Sequence, residues 1–199
     1  MSRFFESLKL ADGQFFRIPN HQKRINRTFV IHFPDRKPFN IEDILKNIEF
    51  PSKGTFKIRI SYDENETTTE IQSYTARKIS TLKLISINTL PSFFKSEMRD
   101  VIHEAVSRKE DCDDIIMVNN GLLTDTSYAN IALYDGKTWF TPRKPYLYGS
   151  HRDFLLDNGK ITEKDIPANE IFNYQKIRIF NALIEFGDIE LDINPETIR

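Results

Sequence analysis

Leu123-Thr124-Asp125-Thr126-Ser127-Tyr128-Ala129-Asn130-Ile131 is the stretch whose setting decides the fold. Before it lies Asp114-Ile115-Ile116-Met117-Val118, a short apolar strand ending in the turn Asn119-Asn120-Gly121. After it come Asn130–Tyr134, the turn Asp135-Gly136-Lys137, and Thr138-Trp139-Phe140-Thr141, which read as a hairpin. A short helix follows Gly149, with further strands near 160–166 and 176–193. Upstream, Phe94, Met98, Val101, Ile102 and Ala105 fall at helical spacing, predicting a helix through that region.

The N-terminal half follows the same mixed pattern. Glu6–Leu10 and Gln14–Arg17 flank Asp12-Gly13 and predict a strand pair. His21–Phe29 and Ile41–Ile48 predict helices, the second with a stripe of Ile41, Ile44, Leu45 and Ile48. Lys57 to Tyr62 alternates at period two, so Lys57, Arg59 and Ser61 share one strand face. Residues 66–74 and 81–87 continue as strands, and Asn88–Ser92 reads as a connection. Strands and helices without regular alternation predict an α+β fold, divided into domains at 1–88 and 89–199.

Composition narrows the function. At 39% hydrophobic and 29% charged, the chain can build a core, and the net charge of -1 offers no polybasic field for nucleic acid. No apolar run approaches the roughly 20 residues that span a bilayer, and the first residues lack a signal-peptide core, so a cytoplasmic protein is expected. Cys112 is the single cysteine and stands among Glu110, Asp111, Asp113 and Asp114, which disfavour a nucleophilic thiolate. Walker-type and Rossmann glycine loops are absent. The four histidines are scattered, so no metal site is expected.

Five strings then stand in a fixed order: His21-x-x-Arg24, Lys95-x-x-x-Arg99, the Asp125–Asn130 stretch, Thr141-Pro142, and Gly149-Ser150-His151-Arg152. With them the chain resembles the class IV aminotransferases, the fold-type IV pyridoxal-phosphate enzymes. These include branched-chain and D-amino-acid aminotransferases and aminodeoxychorismate lyases. The resemblance implies a compact two-domain version of that fold. It also implies the cofactor pyridoxal 5′-phosphate, with Lys95 as its Schiff-base lysine. Asp125 stands where the family has a glutamate facing the pyridine nitrogen, a departure shorter by one methylene, and Asn130 closes the same motif. A turn-forming aspartate is the plain alternative for Asp125. Arg24 matches a phosphate-binding arginine, whose planar fork suits phosphate oxygens. Ser150 and His151 would offer backbone N–H groups at a helix start, while Ser150-x-x-Asp153 also reads as a capping box. The family's later phosphate-side Ser or Thr is matched here by Ala182.

Substrate residues are less marked. Arg59 is a candidate for a substrate carboxylate, or part of a solvated face with Lys57. Tyr128 either approaches the cofactor or packs. The family implies a small amino substrate and a homodimer. Three functions remain: an aminodeoxychorismate lyase, which the short chain favours, an amino-acid transaminase, and a non-catalytic relative.

Overall fold

The computed structural model describes residues 3–88, 94–96 and 99–199. They form two compact units, one of residues 3–76 with 94–96, the other of 77–88 with 99–199. The division falls at 76 and not at 88. The strand over 82–87, placed by the sequence reading in the first half, is hydrogen-bonded into the sheet of the second unit.

In the first unit, β1 (Phe4–Ala11) and β2 (Gln14–Phe15) are joined by Asp12 and Gly13, both at positive φ. That is the backbone twist a two-residue hairpin turn demands, and why glycine stands at 13. Helices α1 (Ile18–His32) and α2 (Ile41–Lys46) follow, then β3 (Thr55–Tyr62) and β4 (Thr67–Ser73). The antiparallel order is β2-β1-β3-β4. Alternation sorts the side chains. Phe4, Leu8, Leu10, Ile58, Ile60 and Tyr62 pack with Ile25, Phe29, Ile41 and Leu45 of the helices. Phe5, Ser7, Lys9, Lys57, Arg59 and Ser61 occupy the opposite sheet face.

The helix predicted from Phe94 does not begin there. The Phe5 amide donates to the Lys95 carbonyl at 2.9 Å, and Ser96 bridges Phe4, so this segment is extended along β1. Phe94 instead meets His32 edge-on at 4.4 Å. Pairing with β1 overrides the local periodicity. Met98 lies outside the described residues.

The second unit contains β5 (Leu82–Ile87), α3 (Asp100–Ser107), β6 (Asp114–Asn119), β7 (Leu122–Thr126), β8 (Asn130–Tyr134) and β9 (Trp139–Pro142). It continues with α4 (Ser150–Asp157), β10 (Thr162–Lys164), a 3₁₀ turn over Ala168–Asn173, β11 (Lys176–Phe180) and β12 (Glu190–Asp192). The sheet runs β10-β9-β8-β7-β6-β5, with β11 also pairing β8. Among the described strands only β5/β6 and β9/β10 pair in parallel, and each pair is spanned by a helix, α3 or α4, as a parallel crossover requires. A mixed, largely antiparallel sheet with few crossovers is the α+β arrangement read from the sequence.

Candidate active site

In the first unit the chemistry gathers on the sheet face opposite the helices. Extension of residues 94–96 along β1 brings the Lys95 ammonium to the Ser7 hydroxyl at 3.3 Å and to 4.8 Å from the Phe5 ring centroid. Arg59 stands opposite Ser7 in register, so it shares this face. Its Nε donates to Ser61 Oγ at 3.1 Å, and its guanidinium lies 3.7 Å from the same Phe5 centroid. One aromatic ring therefore holds two cations, a stacking that lowers the energy of each charge while leaving their mutual repulsion. An anion placed beside both relieves that repulsion. The strand alternation thus joins Arg59 to Lys95, although nothing in the sequence tied the two together.

Arg24 belongs to the opposite face of β1. Glu6 neighbours Ser7 and so points the other way, under α1. There it accepts from Arg24 Nε at 2.7 Å and from Arg24 Nη2, and it contacts His21 Nδ1 at 2.5 Å. The i, i+3 spacing sets His21 and Arg24 on one helix face. Burial pushes the Glu6 carboxyl up, but the Arg24 charge and the bonds from His21 and Arg24 outweigh it and hold the group at about 2. Burial also pulls the His21 pKa down. The cluster is consistently read as Glu6 carboxylate, Arg24 cation and neutral His21 donating through Nδ1. The sequence reading found His21-x-x-Arg24 and missed Glu6. Its signal was an acid at the inward position of Phe4-x-Glu6-x-Leu8-x-Leu10. Any phosphate bound by Arg24 shares its guanidinium with Glu6.

In the second unit, Asp125 lies on β7 and is 3% exposed. Its Oδ1 accepts from Asn130 Nδ2 at 2.8 Å, and Oδ2 accepts from the Leu147 amide at 2.7 Å. Asn130 is the register partner of Asp125 and also donates to the Leu147 carbonyl at 2.9 Å. Burial pushes the Asp125 carboxyl up to about 7, against the bonds from Leu147 and Asn130 and the Arg152 charge. Tyr128, in the turn after β7, lies under the Arg77 guanidinium at 5.1 Å. Arg99 donates to the Ser127 carbonyl at 2.5 Å. Tyr146, which the sequence reading passed over, feels the charges of both Arg99 and Asp125.

The start of α4 corrects one reading. The N-cap is Gly149, with no side-chain cap bond, and Ser150 is the first helical residue, so no capping box forms. The first helical return is from the Asp153 amide to the Gly149 carbonyl at 3.0 Å, so the helix opens with the amides of Ser150, His151 and Arg152. Such an end favours an anion. The His151 ring is used structurally: Nδ1 meets the Asn181 carbonyl at 2.7 Å, and the ring stands edge-on to Phe180.

Each unit offers donors of a kind that pyridoxal phosphate uses. A primary amine and an arginine fork lie in the first unit; a buried, doubly hydrogen-bonded carboxylate and a helix N-terminus lie in the second.

The pattern of the family described as amino-transferase class IV matches residues 95–190. An uncharacterised Haemophilus influenzae protein is 31% identical over 92% of this chain and 98% of its own. A Schizosaccharomyces pombe protein described as a candidate aminodeoxychorismate lyase is 25% identical, over 98% of this chain and 92% of its own. A crystal structure from Haemophilus somnus, described as a candidate 4-amino-4-deoxychorismate lyase, superposes with a TM-score of 0.87 at 26% identity. It covers 94% of this chain and 98% of that one. Fold, motif order and relatives converge, and the chain belongs to the class IV aminotransferase family.

Proposed function

We propose that this protein binds pyridoxal 5′-phosphate through Lys95 and converts 4-amino-4-deoxychorismate to 4-aminobenzoate and pyruvate. The observation that carries the reading is the convergence of Lys95 and Arg59 on the Phe5 ring. It sets an amine beside a carboxylate-binding fork. When bound, the cofactor supplies an electron sink for the substrate amine. Asp125, held by Asn130 and Leu147, would offer a fixed carboxylate to the cofactor's ring nitrogen, and the first amides of α4 would offer donors to its phosphate. Ser7 holds the Lys95 amine in place through its hydroxyl. Freed Lys95 takes the ring proton that aromatisation releases and returns it to the enol carbon of the departing pyruvate. Atoms balance without water.

The lyase is favoured over a transaminase by the charge of the sheet face opposite the helices. Lys9 and Lys57 stand directly opposite each other there, next to the Ser7/Arg59 pair. Like charges in such register oppose each other, and a substrate with two carboxylates offsets the cost. The relatives described as aminodeoxychorismate lyases support the same choice. A homodimer, as in the family, is part of the proposal.

The assay supplies 4-amino-4-deoxychorismate and follows pyruvate and 4-aminobenzoate; a parallel reaction supplies amino acids with 2-oxoglutarate. Stoichiometric release of both products is expected. Transamination without pyruvate release would overturn the lyase reading.

A further inference from the structure

Asn130, which the family resemblance makes a cofactor-site residue, spends its side-chain amide nitrogen within the protein. Its amide nitrogen donates to Asp125 Oδ1 at 2.8 Å and to the Leu147 carbonyl at 2.9 Å, and the residue is 5% exposed. Leu147 closes the loop by donating its own amide to Asp125 Oδ2 at 2.7 Å. The side-chain oxygen of Asn130 lies against the backbone of Gly149. A Cβ built on Gly149 would stand 2.1 Å from Asn130 Oδ1 and 3.3 Å from its Cγ. The φ of Gly149 is -77°, a value open to any residue, so glycine stands here for space and not for backbone freedom.

We propose that Asn130 is a positioning residue. With Gly149 it forms a lock that fixes the Asp125 carboxylate relative to the start of α4. The lock ties together through one side chain the carboxylate on β7 and the amides of α4, the two features that would hold the cofactor's ring nitrogen and phosphate. Asp125 is shorter than the family's glutamate, and two bonds hold it where it stands. The proposal rests on the cofactor reading for its purpose and on the cofactor-free protein for its geometry.

The test uses cofactor-free protein, so the lock and the cofactor reading fail separately. Thermal melting and carbon-13 NMR titration of the Asp125 carboxyl are recorded for wild type, Asn130→Ala, Gly149→Ala and the double variant. Among the described residues Arg152 and Tyr146 also face Asp125; neither is substituted, and the Cβ added at 149 meets Arg152 Cβ at an ordinary contact distance of 3.9 Å. Asn130→Ala should raise the Asp125 titration by about one pH unit, since one bond to the charged form is lost. Gly149→Ala should do the same by expelling the Asn130 side chain, and it should lower the melting temperature. In the double variant the added methyl meets no Asn130 side chain, so it should melt and titrate like Asn130→Ala alone. If Gly149→Ala fails to fold, recovery of folding in the double variant supports the lock. Additive losses in the double variant, or an Asp125 titration unmoved by Asn130→Ala, would overturn it.

Discussion

Replacing Asp125 by Asn should flatten the pH dependence of stability of the cofactor-free protein. The carboxyl has an ordinary value of 3.8 and stands at about 7 in the folded chain, with burial as the leading cause. A raised acid pKa means that the folded state binds the proton more tightly than the unfolded chain. Stability from this group is complete below pH 4, is lost as pH rises toward 7, and stays lost above it. Three pH units correspond to about 4 kcal/mol in full, of which roughly 3 kcal/mol falls between pH 5 and 8. The amide has one acceptor where the carboxylate has two, so the Asn130 or Leu147 donor loses its partner, at about 1–3 kcal/mol independent of pH. The difference in slope, and not absolute stability, is therefore the quantity to measure. Urea unfolding of both proteins from pH 5 to 8 provides it. His21, lowered by burial, changes stability in the opposite sense near its own titration, but it is present in both proteins and cancels. Wild type should lose roughly 3 kcal/mol more than the variant over this window. Parallel pH profiles would refute the assignment of a buried, protonatable carboxylate to position 125.

Three other outcomes follow from the first unit. Glu6→Gln should cost about 3–5 kcal/mol, because it removes the buried carboxylate that pairs with Arg24, read by denaturant unfolding at pH 7. Lys95→Ala leaves the backbone pairing of residue 95 with Phe5 intact, so cofactor attachment should vanish while the protein still folds, read by absorbance and thermal melting. Arg59→Gln should raise KM for a carboxylate substrate about tenfold or more, by loss of a charged hydrogen-bonded pair, and steady-state kinetics reads it.

Much of this architecture was written locally. The period-two run at Lys57–Tyr62 became β3, and Asp12-Gly13 became a turn with both residues at positive φ. Asn120 and Gly121 likewise take positive φ between β6 and β7. What failed was decided by distant partners. The segment around Phe94 has helical spacing, yet its neighbours pair with β1, a contact made across most of the chain's first half. Ser150-x-x-Asp153 has capping-box letters, but the N-cap is Gly149, crowded by Asn130. The site was legible as residue types and order. Its working contacts were not, because Glu6, Ser7 and Tyr146 carry no motif of their own.

The most direct measurement of the central claim is reduction of the protein with borohydride in the presence of pyridoxal 5′-phosphate, followed by peptide mass spectrometry. A single cofactor adduct on Lys95, absent from Lys95→Ala, is the predicted result. A protein that gains no visible absorbance with the cofactor, or that carries the adduct on other lysines and not on Lys95, would contradict the account.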